Sequence, residues 1–513
     1  MRSNIAKSAL WVTFSEIFFN LSGFVIHSVL GRFLGPADYG RYGLIITLTT
    51  MVIILIGNGI PTAMSKYISE YFETDLGMVR VIKRQAVILQ SILIAAITII
   101  FYFSIPLISS VLGDPTLIPL FKISTWIIPA FAAASFYFSY YTGLHRFNFQ
   151  ATLKTLRSVF RIVLVIGLAY FFKVEGSIVA YILAPFFVFL VAYGIDRFEI
   201  ASEMKSEANL QKSAADGKKL WDAFDWKKLT NYAWQIIIFF LAYELLISID
   251  LYMVKGILRD DNLTGIYNAV LTVGRIPYYI FYAMTIFLLP MVSRSTSQNN
   301  HAQTNQILTQ SLRIMMILLI PMIILMSVFA KPIIMDFYGK NYVSGAYAMS
   351  ILEYGVGFLT IFYVLSFAMN GAAKTKIVMW ISILGLALNT VLNYFLIQKL
   401  SITGSAIATS ITSLVIMIIM LCYIYRDFGV TIKLRSFLNA VFAGIIIYFA
   451  SRLFPQGQIS FILWSVILFS AYIGILYILG EVKKEDIVYV KSLAKLKRAK
   501  PMEEDLSGNE PSA

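Results

Sequence analysis

Apolar runs of about twenty residues follow one another along this chain, and its Lys and Arg residues sit in the short gaps between them. A helix of about twenty apolar residues spans the hydrocarbon core of a bilayer. The runs lie near 9–33, 42–65, 85–112, 117–143, 155–172, 176–195, 230–254, 265–293, 309–330, 345–370, 375–397, 401–424, 436–454 and 459–480. The pair at 155–195 also reads as one broken hairpin. The chain is therefore expected to be an all-α polytopic membrane protein of about fourteen transmembrane helices. Composition agrees: 58% of the 513 residues are hydrophobic and 14% are charged, where a soluble domain carries about 25%.

The net charge of +14 is distributed as orientation requires, not as a nucleic-acid groove would be. With the N-terminus inside, the inner segments hold Lys66, Arg80, Lys83, Arg84, Arg146, Lys154, Arg157 and the cations of 196–229. Outer loops hold scattered charges such as Arg41, Lys173, Arg259, Lys340, Lys399 and Arg452. The split is about thirty to nine, which puts both termini in the cytoplasm. Met1 to Ser8 reads as the lead into the first helix, not a removable leader. Cys422 is alone, so no disulfide or cysteine metal site forms within one chain. In the loop, Trp221, Phe224 and Trp226 alternate with Lys219, Asp222, Lys227 and Lys228. It reads as an amphipathic segment at the headgroups or as a plain linker. The tail carries Ile487, Val490 and Leu493 on one side of a Lys-rich stretch.

The two halves repeat. Gly40 and Tyr42 match Gly265 and Tyr267, Gly143 matches Gly371, and Gly176-Ser177 matches Gly404-Ser405, at offsets of 225, 228 and 228. Each repeat holds an even number of spans, so the halves share one orientation about an axis along the membrane normal. The expected organisation is an N-terminal six-helix lobe at 1–195, a basic linker at 196–229 and a second lobe at 230–424. An extra helix pair at 425–480 and a tail at 481–513 follow. Two like-oriented bundles enclose a cleft and rock for alternating access.

No GxxxxGK[ST], HExxH or GxSxG motif occurs. Neither a phosphate-cradling ATP loop nor hydrolytic chemistry is supported, and an enzyme is not expected. Transport would draw on an ion gradient, the membrane potential or the solute's own gradient. No cofactor is expected.

Ionisable residues inside spans cost a few kcal/mol each and normally face a cavity or a partner. Glu16, Asn20, Gly23 and His27 share one face of the first span. Lys154, Arg157 and Arg161 share a face of the fifth, reading either as an anion site or as cations snorkelling to the interface. Glu244 and Arg275 lie at matching depth on spans seven and eight. They read as a structural ion pair, or as groups that exchange partners with a phosphate and a cation. Arg275, Tyr278, Tyr279 and Tyr282 share a face, reading as a sugar-stacking surface or as helix packing. Glu16, Glu244, Asp250 and Glu353 are candidate ion-coupling carboxylates. Asn389 and Asn393 read as interhelical glue.

Leu30 to Gly43 (LGRFLGPADYGRYG) and Gly59 to Ile68 (GIPTAMSKYI) closely resemble the start of the polysaccharide transporter family. That family sits in the multidrug/oligosaccharidyl-lipid/polysaccharide exporter superfamily. The resemblance implies two six-helix lobes and alternating access coupled to Na+, H+ or membrane potential. It also implies a plasma-membrane flippase for a lipid-linked oligosaccharide, working among membrane lipids and glycan-assembly enzymes. Cleft cations would hold a lipid diphosphate: Arg32 lies in a matched motif, while Arg157, Arg161 and Arg275 come from depth. Arginine's fork suits phosphate oxygens. The extra pair resembles the lipid-groove helices of the lipid II flippase. A multidrug–cation exporter of the same fold and a non-transporting membrane scaffold are the rival expectations.

Overall fold

The computed structural model describes residues 2–57, 59–200, 224–431, 434–453 and 460–481. Lys219, Trp221, Asp222 and the tail stripe at Ile487, Val490 and Leu493 lie outside them. The helices are α1 (Arg2–Gly57), α2 (Ile60–Tyr71), α3 (Leu76–Val111), α4 (Leu117–Ser124), α5 (Ile127–Gly143) and α6 (Phe147–Ile195). After the linker come α7 (Trp226–Leu258), α8 (Asp261–Gly274), α9 (Ile276–Ser297), α10 (His301–Val328) and α11 (Ala330–Tyr338). The chain ends in α12 (Ala346–Gly371), α13 (Thr375–Phe428), α14 (Leu434–Arg452) and α15 (Ser460–Ile478).

Eight segments of the described residues are long and apolar enough to cross a membrane by themselves. Three of them double back. Gly35 breaks α1 at φ 75, a region that essentially only glycine occupies, and Pro36 restarts it without needing an N–H partner. Lys173 breaks α6 at φ 47 and Ser401 breaks α13 at φ 55. With α7, the α8–α9 pair and α14, the chain makes fourteen spans. The stretch at 155–195 is thus two spans joined by a tight reversal.

The repeat is written in the backbone as well as in the sequence. Lys173 and Ser401 both take a positive φ, and so do His145 and Ala373 at φ 56 and 59. Gly176 packs on the Leu168 carbonyl as Gly404 packs on the Leu396 carbonyl, each leaving no room for a side chain. The extra pair α14–α15 attaches to the second lobe through α10.

The lobes meet most tightly at the end away from the N-terminus, here the distal end. Gly40 and Gly265, repeat equivalents, face each other there. A Cβ on Gly40 would sit 2.7 Å from the Gly265 nitrogen, and a Cβ on Gly265 would collide with the Pro36 carbonyl. Two equivalent residues in contact lie on the pseudo-twofold axis. Around this point Arg41 of the first lobe pairs with Asp261 of the second at 2.8 Å. Lys255, almost fully buried, pairs with Asp114 across the seam at 2.7 Å and also with Asp261. Tyr39, Tyr338 and Tyr342 pack at 5.3–6.0 Å between ring centres, and all three are buried.

Replacing Gly265 by Val should force these backbones apart, at a cost of about 1–3 kcal/mol for overpacking. Spin labels placed across the seam should then report longer distances than in the parent. Burial opposes the charge on Asp114, but hydrogen bonds from Lys255 and Thr116 outweigh it and hold this carboxyl below its usual range. Its contribution is therefore complete above the unfolded value of about 4 and is lost as pH falls through the lower folded value. Seam distances should be flat from about pH 5 to 8 and lengthen only in stronger acid.

Candidate functional site

The first lobe gathers cations. The face of α1 bearing Glu16 and Gly23 packs on α6, where Glu16 forms an ion pair with Lys154. Arg161 Nη2 donates to the Phe19 carbonyl at 2.9 Å and to Ser22 Oγ. Gly23 leaves the space this guanidinium fills; a Cβ there would stand 3.4 Å from Nη2. Arg157 is 6% exposed, so it is not snorkelling to water. Its guanidinium lies 4.6, 4.9 and 5.0 Å from the rings of Phe19, Phe131 and Phe138. Arg161 reaches the same Phe19 ring at 4.3 Å. The Nε atoms of both arginines are buried without a hydrogen-bond partner. Three cations and one carboxylate meet here, and Lys154 already engages that carboxylate. The surplus is positive, in a setting of low dielectric where charge counts most.

The second lobe gathers carboxylates and tyrosines. Asp250 is 1% exposed. Tyr267 donates to its Oδ2 at 3.1 Å, and Thr409 Oγ1 lies 3.5 Å from the same atom. Thr409 continues to Asn389 at 3.4 Å. Asn393 Nδ2 donates to Asn389 Oδ1 at 2.8 Å, and Ser405 donates to Asn393 Oδ1 at 2.7 Å. Asn389 and Asn393 are thus glue within this oxygen-rich chain, and one end of it is a carboxylate. Glu353 is fully buried with neither carboxylate oxygen hydrogen-bonded. Tyr278 and Tyr282 pack on Tyr363 at 4.6 and 6.2 Å, and Tyr243 joins them at 5.0 Å.

Three expectations need correction. Arg275 and Glu244 are within electrostatic range, with Asp250 also acting on Arg275, yet they do not form a direct ion pair. Arg275 sits at the break between α8 and α9 and donates instead to the Ile247 carbonyl. The shared face is also only partial: Tyr278 and Tyr282 join the cluster, whereas Tyr279, about 100° further round the same helix, is 46% exposed. Arg32 stands apart from Arg157 and Arg161. It is nine residues beyond Gly23, about 13 Å further along the helix, and clasps the carbonyls of Phe337 and Asp336 on α11.

Phe19, Phe131, Phe138, Tyr243, Tyr363, Ser405 and Thr409 were not among the site residues the sequence singled out. Phe19 alone had a signal, its position three residues from Glu16. Glu16 on the first lobe and Tyr282 on the second lie within electrostatic range of each other.

A family model described as polysaccharide biosynthesis protein matches residues 5–296, and one described as MatE matches 235–395. Stage V sporulation protein B of Bacillus subtilis is 22% identical over 96% of this chain and 99% of its own. An uncharacterized membrane protein of Methanocaldococcus jannaschii is 22% identical over 81% of this chain and 97% of its own. A probable low-salt glycan biosynthesis flippase of Haloferax volcanii is 23% identical over 31% of this chain. Among solved structures, the lipid II flippase MurJ in an inward closed conformation covers 94% of this chain at a TM-score of 0.72 and 16% identity. An inward-facing multidrug resistance MATE family transporter covers 80% at 0.64 and 14% identity. At these identities the structures establish the shared fold.

Asp250 supplies a carboxylate beside hydroxyl and amide oxygens, a donor set suited to a hard cation or to a proton. Asp250→Asn should abolish any rise in unfolding temperature produced by Na+ or by a pH step. Glu16→Gln, already committed to Lys154 in the parent, should leave that response in place. A response that survives Asp250→Asn would remove this residue from the coupling site.

Proposed function

Because the chain belongs to the polysaccharide biosynthesis protein family, we propose that it flips a lipid-linked oligosaccharide, carried on a polyprenyl phosphate or diphosphate, across the plasma membrane. The observation that carries this reading is the pair Arg157 and Arg161, both stacked on Phe19 with buried, unpartnered Nε atoms. Two neighbouring buried guanidinium groups repel each other, and an anion between them would relieve that repulsion. A diphosphate does so, because each guanidinium can give phosphate a forked pair of hydrogen bonds. Exchange of phenyl contacts for phosphate oxygens would let the headgroup enter without first breaking an ion pair.

Tyr278, Tyr282 and Tyr363 on the other lobe offer rings for stacking on sugars and hydroxyls for hydrogen bonds. The polyprenyl tail stays in lipid. An apolar groove of about 430 Å³ between α10, α11 and α15 gives it a path along the second lobe. Asp250 and Glu353 are the ion-coupling candidates, with Na+ or H+ as the ion. Arg275 near Asp250 and Glu244 supplies a fixed positive charge that cation entry must balance. The positive-inside distribution supports cytoplasmic termini, and in that orientation the seam closed in this structure is the outer one. The headgroup enters from the cytoplasmic leaflet and leaves when that seam parts. The work is carriage, with no bond made or broken, in support of enzymes that assemble the glycan.

A cation-coupled multidrug exporter is the second reading. It is favoured by the carboxylates Glu244, Asp250 and Glu353, which lie inside the stretch matched by the MatE model. A fluorescent polyprenyl diphosphate saccharide in proteoliposomes separates the two. Arg157→Gln and Arg161→Gln should each slow flipping roughly 10- to 100-fold, the loss of one charge-assisted contact, and Arg157→Lys should recover part of it. Unchanged flipping in both variants, or export of cationic dyes by the parent chain, would overturn the flippase reading.

A further inference from the structure

A polar pocket of about 350 Å³ opens at the distal seam, away from the two clusters described above. Gly31, Arg32 and Gly35 line it from the first lobe, and Met335 and the run from Tyr338 to Tyr342 line it from the second. Two cations, Arg32 and Lys340, border it, and no carboxylate is among its lining residues.

Its backbone is bare at two places. Gly35 and Gly339 have φ of 75 and 97, and no atom lies within 4 Å of where a Cβ would stand on either. Each has an extended ψ, 171 and 178, a combination essentially restricted to glycine. One glycine comes from each lobe. Close approach of main chain to an anion is a recurrent use of such positions.

Arg32 is held in place at the rim. Its Nε donates to the Phe337 carbonyl at 3.1 Å and Nη2 donates to the Asp336 carbonyl. Carbonyls orient the guanidinium but do not neutralise it. Lys340, from the second lobe, is exposed and also lines the pocket. On the outer side of α11 the character changes: Ile333 and Phe337 line the apolar groove, whereas Met335 and Tyr338 line the polar pocket. A headgroup in the pocket would therefore have an apolar path for its chains one helical turn away. The volume suits a phosphate with a small substituent and is too small for an oligosaccharide.

We infer that this pocket binds the phosphate of an anionic bilayer phospholipid, and that the bound lipid holds the distal seam closed. The second half follows from construction. Both lobes contribute lining residues, three from the first and six from the second, so parting the lobes divides the site. A ligand that binds only the closed form shifts the equilibrium toward it by its differential affinity. Membrane composition would thereby set how readily the seam opens, whatever solute crosses.

The test uses the full chain in phosphatidylcholine nanodiscs with and without phosphatidylglycerol. Spin labels replace the exposed residues Phe33 and Tyr347, one on each lobe, in a Cys422→Ser background. Phosphatidylglycerol should narrow the distance distribution toward the closed value, and native mass spectrometry should find it bound. Lys340→Gln should lower that occupancy about fivefold, the worth of one surface cation against an anionic lipid, and Lys340→Glu should lower it further. Lys399→Glu, an exposed cation at the same end, should change nothing. Flipping in pure phosphatidylcholine should be intact in Lys340→Gln, so that loss of transport through Arg157 or Arg161 is read separately. Equal loss of binding in Lys399→Glu, or an identical narrowing by inorganic phosphate without phosphatidylglycerol, would overturn the proposal.

Discussion

The structure turns on one close approach: the backbones of Gly40 and Gly265 in contact on the axis relating the two halves. Where two helices carry no side chain, their main chains can come together, and van der Waals packing of this kind drives helix association in lipid. Everything else at the distal seam is arranged around that point. The ion network of Arg41, Asp114, Lys255 and Asp261 and the buried tyrosines Tyr39, Tyr338 and Tyr342 fall into register only when the glycines meet. A hydrophobic driving force is absent between helices already in lipid, so polar contacts across the seam carry more of the task than they would in a soluble protein.

The repeat is symmetric in backbone and asymmetric in charge. Lys173 and Ser401 both turn the chain with a positive φ, yet the first lobe accumulates Arg157, Arg161 and Lys154 while the second accumulates Glu244, Asp250 and Glu353. A symmetric scaffold with opposite charges in its halves can hold an anion on one side and a cation on the other. Each burial is costly alone. The lobes share that cost differently: the arginines lean on phenyl rings, Asp250 on hydroxyl groups and Glu353 on nothing hydrogen-bonded.

Much of this was legible beforehand because the membrane reduces the choices. Backbone groups in lipid must bond within their own segment, so apolar runs become helices and their count becomes topology. The Arg157–Arg161 stripe was visible from helical spacing for the same reason. The Glu244–Arg275 pair was not, since equal depth on adjacent helices does not specify rotation about either axis. The break at Arg275 directs that side chain to the Ile247 carbonyl. Arg32 looked like a member of the basic cluster because it lies in a recognisable motif. Its position near the helix end instead brought it to the carbonyls of α11.

By itself the sequence determined that the chain is a bundle of membrane-spanning helices in two related halves, and which spans carry charge. Hydrophobic length and helical period suffice for that, because lipid excludes any unpaired backbone. Tertiary structure alone decided which charges meet. The aromatic enclosure of Arg157, the chain of oxygens from Asp250 to Ser405 and the pocket shared by Gly35 and Gly339 all join residues distant along the chain. Their meeting depends on helix rotation and on how closely the two lobes approach, and neither quantity is encoded in the period of any one helix.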